Sequence, residues 1–432
     1  MTFYKLCFVF VGVVGILLPA PLSFAQETTP STYNANRKFQ AKQFQEDFLV
    51  LRKVLEEDHP GLYRYTDKKV FDAGFDTAFK RLNREMTERE FFPIVASIVS
   101  AIRCGHTQSI PSSEYMKYLK TFPLNLRFIK GKAYIISSPD KAITPGSELL
   151  SINGKKMSDI TRTLLAHLPT DGDIETGKYR RLDRLFEFYY NLLIEQPDSF
   201  NVEYYDPAKK QKKEITVPPL IENEAKVLAR FDNGKTPLGL EFLPESNAAL
   251  LTINTFDDGT ITNAGQDYRR FMEAAFQKIK EKRIQNLIID LRNNGGGDDE
   301  FGSLLFSYLT DKEFGYFDHI ETSTNKITLA QYTDTSAEIN KMFAEDLMPG
   351  VAGRFRLKDS VDLNLQHLQQ PQKNHFDGKV WFLTTGQSFS AFRVKGPSIL
   401  AQESANRQDS SQSYDHLHNS ETGDRDLLVG IL

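Results

Sequence analysis

The sequence predicts an α/β fold, and three stretches carry that reading. Leu250–Phe256 is a short apolar run of strand type. Tyr268–Lys280 places Phe271, Ala275, Phe276 and Ile279 on one face of a helix, and leads into Ile284–Leu291, the apolar run of a fully buried strand. Strand, helix, strand in that order argues a crossover unit with parallel strands. Lys379–Thr384 is a further β-rich run able to join the same sheet.

The central strand ends in Asp290-Leu291-Arg292 and opens into Asn293-Asn294-Gly295-Gly296-Gly297. In α/β sheets, ligands collect where a strand opens into such a bend. Glycine tolerates positive φ and close approach. The N–H groups of Gly295, Gly296 and Gly297 therefore either face an anion or a developing oxyanion, or serve only a tight turn into the next helix. No Gly-Lys-Ser/Thr follows, and the glycines lack dinucleotide spacing, so neither nucleotide motif is met.

At the other end of the chain, Lys5, the apolar Leu6–Pro19 and Ser23-Phe24-Ala25 are the three parts of a secretory signal, residues 1–25, cleaved after Ala25. A retained anchor is the alternative, but Pro19 and Pro21 interrupt the apolar run. Cys7 lies inside that run rather than after a cleavage site, which argues against a lipoprotein. No later stretch is long and apolar enough to span a bilayer. The chain carries 53 basic and 57 acidic residues, a net charge of −4 that becomes −5 once Lys5 is removed. Neither nucleic acid nor an anionic membrane surface is suggested as a partner by that balance. Cys104 is then the sole cysteine, which rules out an internal disulfide and a cysteine-rich metal site. An exported chain of this kind fits a periplasmic or extracellular location.

Residues 26–39 are a polar leader that need not fold. A helical domain is expected over 40–121. Phe44, Phe48, Leu51 and Leu55 form one apolar stripe, and Phe71, Phe75, Phe79 and Leu82 a second. Thr87 with Glu90 makes a capping box ahead of Phe91, Val95, Ile98, Val99 and Ile102. These stripes are core, and no cofactor is assigned to them. Gly105 is the expected C-cap of the third helix, placing His106 on a loop, where it is either structural or available for chemistry.

A small β module at 122–165 is signalled by the turns Lys130-Gly131 and Asn153-Gly154. Leu164–Tyr190 is helical in outline and runs into a linking region, 166–240, which then holds strands Phe200–Tyr205 and Glu214–Pro218 around a basic turn. The core spans 241–396, with Phe301–Leu309 helical and a short strand near Ile327–Ala330. It ends in Thr385-Gly386-Gln387-Ser388-Phe389-Ser390-Ala391. Ser390 after a buried strand is either a helix N-cap or an exposed hydroxyl on a strand-to-helix turn. The Gly-x-Ser-x-Gly elbow is not matched.

Gly105-His106-Thr107, Pro145-Gly146 with Ser151-Ile152-Asn153-Gly154-Lys155, Leu287–Gly297 and Thr384–Ala391, in that order, resemble the tail-specific (C-terminal processing) serine peptidases over residues 40–392. The resemblance implies a crotonase/ClpP-like core, a helical N-terminal domain and a PDZ-like module. It implies Ser390 as nucleophile, with the amides of Gly295, Gly296 and Ala391 as oxyanion hole. The family's lysine two dozen residues beyond the serine is absent here, since Lys395 is the last lysine. The tricorn-like branch uses a histidine in a Gly-His-Ser/Thr motif, which maps onto His106. Imidazole takes a hydroxyl proton near neutral pH without desolvation.

Beyond Ser390 the sequence leaves the family pattern. Pro397 interrupts the expected helix, and Gln402–Asp426 is almost wholly polar. Glu421-Thr422-Gly423 echoes the family's acid-bearing segment, which makes Glu421 the candidate orienting acid. The tail, 397–432, resembles a truncated or frameshifted end: 397–426 should leave the sheet short, with only Leu427–Leu432 able to dock. The expected function is an exported serine endopeptidase acting on polypeptides with free C-terminal tails, without metal or cofactor. The alternatives are a catalytically impaired homologue that binds peptides, and an acyl-CoA enzyme of the crotonase class.

Overall fold

Aromatic residues at helical spacing account for the start of the molecule. In the computed structural model, helices α1 (Ala41–Asp58), α2 (Lys68–Lys80) and α3 (Glu88–Ala101) bury Phe44, Phe48, Phe71, Phe75, Phe91 and Val95 in one cluster. The described residues are 34–116, 119–220, 236–317, 320–332, 336–361, 367–390 and 427–431. The expected signal segment, Ala391, Glu421 and the 397–426 tail therefore lie outside them. Among the described residues no helix is long and apolar enough to cross a membrane.

The capping box forms as expected: the Thr87 side chain accepts from the Glu90 amide and Glu90 from the Thr87 amide. The end of α3 differs. The helix stops at Ala101, and Arg103, not Gly105, takes the left-handed conformation, with φ 59°. Arg103 is held there by loop contacts: its guanidinium donates to Tyr65 O, and Gly172 N–H donates to its carbonyl.

The chain divides into two compact units. The first falls within Phe24–Asn233 and also takes in Glu321–Arg356, a piece of the stretch expected in the core. Ser323 Oγ donates to Asp58 O and Arg354 to Pro60 O, bonds across nearly three hundred residues that no local pattern announces. After the helices comes an antiparallel sheet in sequential order: β1 (Asn125–Ile129), β2 (Lys132–Ser137), β3 (Ser147–Ile152), β4 (Phe200–Asp206) and β5 (Gln211–Val217). Lys130-Gly131 and Asn153-Gly154 both have two consecutive positive φ values, the turns their residues favour. The sheet that begins in 122–165 thus continues to Val217, because β4 pairs with β3.

Leu164–Tyr190 is not one helical stretch. Helix α4 (Met157–His167) ends before Pro169, and α5 (Glu175–Leu193) begins after a loop with Gly172 at φ 55°. Nor is Ile327–Ala330 a strand. Asn340 supplies the strand-like partners, accepting from Ile327 N–H and donating to Ile327 O.

The second unit holds a five-stranded sheet in sequential order: β6 (Leu238–Leu243), β7 (Ala248–Ile253), β8 (Asn286–Asp290), β9 (Lys379–Thr384) and β10 (Leu427–Ile431). β6 and β7 are antiparallel and the remaining pairs parallel. Helix α6 (Tyr268–Glu281) makes the crossover between β7 and β8, and α7 (Asp299–Ser307) follows the glycines. Leu251, Ile253, Leu287, Ile289, Met272, Phe276 and Phe382 form its core. β10 lies beside β9, so Leu427–Ile431, within the end expected to dock, does so as a strand.

Candidate active site

Parallel register brings the C-terminal ends of β8 and β9 level, with Asp290 opposite Leu383. The chains then leave the sheet as two loops fastened by hydroxyl groups. Thr385 Oγ1 donates to Arg292 O at 2.6 Å, Ser388 Oγ to Leu291 O at 2.6 Å, and Phe389 N–H to Asn294 O at 3.0 Å. Arg292 folds back on Asp290 with a two-pronged ion pair, 2.9 and 2.6 Å. Small hydroxyl residues at 385 and 388 thus do the work of ladder bonds where the strands end.

This fastening delivers Ser390 onto the glycine turn. A Cβ on Gly296 would stand 2.5 Å from Ser390 Cβ and 3.2 Å from its Oγ, so only glycine permits the approach. Ser390 itself has φ 63°, a left-handed conformation unusual for serine and a sign of local strain. Gly297, at φ 137°, has the same requirement against another neighbour: a Cβ would lie 2.2 Å from the backbone of Phe256. Phe256 N–H donates to Gly296 O and Asp298 N–H to Phe256 O, which welds the turn to the chain leaving β7. Gly295 faces open space.

The glycine amides are not equivalent. Gly296 N–H donates to Asn294 Oδ1 at 2.8 Å, so the expectation that it is a free oxyanion donor is corrected for this conformation. Among the described residues the Gly295 amide has no acceptor. Asn294, 1% exposed, is the residue that sequence reasoning missed. Its Nδ2 donates to Ile253 O, its Oδ1 accepts from Gly296, and its carbonyl accepts from Phe389. One residue therefore ties β7 and the glycine turn through its side chain, and the segment carrying Ser390 through its carbonyl. Its only signal in the sequence was a polar residue just before three glycines.

His106 belongs to the first unit and Ser390 to the second. The His106 loop is built as closely as the glycine turn. Gly105 N–H donates to Asp171 Oδ1 at 2.7 Å, and Thr107 N–H to Cys104 O. His59, buried at the end of α1, accepts from Gly61 N–H on Nδ1, which puts its proton on Nε2 and directs it to Thr107 Oγ1 at 2.9 Å. Nothing in the sequence marks His59 beyond its place just before Pro60-Gly61, after the first helical stripe.

Burial pushes the His59 imidazole down to about 4 from its usual 6.5. A lowered base stabilises the fold fully above pH 6.5, and that stabilisation is lost as pH falls towards 4, because only the unfolded chain takes the proton. Asp47 and Asp58, pushed up to about 6 chiefly by burial, act in the opposite sense over pH 4–6. Comparing wild type with His59→Gln isolates the histidine. Urea melts should show wild type losing roughly 2–3 kcal/mol more than the variant between pH 7 and pH 4. Parallel pH profiles would refute this account of His59.

The fold and the site define a class: an α/β protein with a serine set on a glycine turn at the carboxyl ends of the parallel strands of a mixed sheet. Residues 247–393 match peptidase family S41. That match covers the second unit's sheet from β7 through β9 and ends just past Ser390, where the sequence departs from the pattern of the tail-specific peptidases it resembles. Mature CPAF in complex with lactacystin is 13% identical, with a TM-score of 0.52, covering 80% of this chain and 79% of that chain. A mutant of CPAF gives 13%, 0.54, 82% and 80%. At such identity the likeness is one of fold. No curated protein matches this sequence.

Proposed function

We propose that this chain is an exported serine endopeptidase that cuts polypeptides near unstructured, free C-terminal ends. The observation that carries the reading is the seat of Ser390, whose Cβ is held where a side chain on Gly296 would collide with it. Ser390 Oγ attacks the scissile carbonyl and His106 takes its proton, then returns it to the departing amine. Water, deprotonated by the same imidazole, releases the acyl group. The oxyanion is met by the amides of Gly295 and Ala391, and by that of Gly296 if Asn294 turns away. Glu421 is assigned from the family resemblance as the acid that orients His106. No metal or cofactor enters these steps. The sheet of the first unit, as a PDZ-like module, adds the substrate tail as a further strand and reads its terminal carboxylate.

A fluorophosphonate probe tests the nucleophile without knowledge of the substrate, and peptide mapping should place the adduct on Ser390. A peptide series with free or amidated C-termini tests the tail preference, with at least tenfold faster cleavage expected for free carboxylates. Labelling elsewhere refutes the nucleophile. Equal cleavage of both series refutes tail recognition.

A further inference from the structure

We propose that Cys104, His106 and Asp171 form a binding site for one thiophilic divalent cation of the zinc class, and that an ion there withholds His106 from proton transfer. The site stands on the first unit alone; only its consequence for catalysis rests on the peptidase reading. A thiol sulfur, an imidazole nitrogen and a carboxylate oxygen from these residues all lie within 4.8 Å of one another. All three residues are half-buried, so the ion has a route in and the site is not flooded.

Two loops distant in sequence make the cluster, and bonds that involve none of the donor atoms except one carboxylate oxygen set it. Gly105 N–H holds Asp171 Oδ1 at 2.7 Å, which leaves Oδ2 for a ligand. Gly172 N–H donates to Arg103 O at 3.0 Å, and the Arg103 guanidinium pairs with Asp173 at 2.6 Å. Gly172, at φ 55°, lies against the Tyr65 ring, which limits movement of the second loop. The backbone is thus organised before any ion arrives.

The donor set selects the ion. Sulfur, nitrogen and oxygen together suit zinc and its neighbours, whereas magnesium and calcium require oxygen throughout. Thiolate and carboxylate supply two negative charges, which balance a divalent cation beside a neutral imidazole. Binding releases the Cys104 thiol proton to solvent. Three protein ligands leave a fourth tetrahedral position for water. Neighbouring donors around a bound ion stand about 3.3–3.8 Å apart by these bond lengths, so the side chains close by about 1 Å through their torsions.

Co²⁺ titration of the full mature chain, freed of metal with a chelator, reads the site directly. One equivalent should produce tetrahedral visible bands with a thiolate-to-cobalt band in the near ultraviolet, and Zn²⁺ should displace both. Cys104→Ser should remove the ultraviolet band and weaken binding at least tenfold, and His106→Gln and Asp171→Asn should each weaken binding. Thermal melts of the variants establish that they fold, and Cys104→Ala offers a second test if Cys104→Ser does not. Absence of the bands, or bands unchanged in Cys104→Ser or His106→Gln, overturns the site. These outcomes are read even from a chain without peptidase activity. In an active chain, Zn²⁺ inhibition should be reversed by chelator, and equal inhibition of Cys104→Ser overturns the link to His106.

Discussion

Ser390→Ala should lower kcat/KM for peptide hydrolysis by about 10⁴-fold or more, since removal of a nucleophile leaves only binding and oxyanion contacts to catalyse. Its unfolding midpoint should stay close to wild type. The Cβ atom remains, so the left-handed conformation at φ 63° is neither relieved nor worsened. Ser390→Gly should be as inactive yet more stable by about 1 kcal/mol, because glycine occupies that conformation without steric cost. The pair separates chemistry from strain: one substitution removes the hydroxyl, the other removes both. Turnover retained in Ser390→Ala would end the assignment of the nucleophile. Greater stability in Ser390→Gly would show a strained residue kept for function at the expense of the fold.

Gly296→Ala should abolish turnover and destabilise the second unit by roughly 3 kcal/mol or more. The new methyl would lie 2.5 Å from Ser390 Cβ and 2.9 Å from Phe389 O, at a φ of 101° that alanine rarely adopts. Something must move, and backbone on both sides leaves the Ser390 segment as the part to be displaced. Gly295→Ala is the stability control, since its methyl meets nothing within 4 Å and its φ is not positive; a change within about 1 kcal/mol is expected. Equal denaturation midpoints for Gly296→Ala and Gly295→Ala would mean that Ser390 does not rest against the turn. Labelling by a fluorophosphonate probe gives the second measurement and should fail for Gly296→Ala even in protein that remains folded.

How much of this was legible beforehand depended on the range of the interaction concerned. The apolar stripes of α1 to α3, the two glycine hairpins and the strand–helix–strand unit around Ile284–Leu291 are patterns within a few residues of one another, and all appear where the pattern sets them. Even the docking of Leu427–Ile431 followed from one apolar run in a polar tail. The misreadings have a common cause. Ile327–Ala330 is apolar enough for a strand, but Asn340 satisfies its backbone from a helix. Pro169 and Gly172 break a stretch that helical periodicity alone runs together.

For the site, the sequence by itself determined residue types and order: a serine after a late strand, three glycines after the central one, and a histidine beyond a helix end. Those features depend on local backbone geometry, which neighbouring residues control. Tertiary structure alone decided which glycine meets the serine, because that follows from the register of β8 against β9 and from loop bonds across about ninety residues. It also brought the Asn294 amide onto the Ile253 carbonyl, and Asp171 beside Cys104 and His106. A buried amide or a carboxylate brought in by a distant loop has no periodicity to betray it. Its role exists only once packing excludes water and every polar group must find a partner inside the protein.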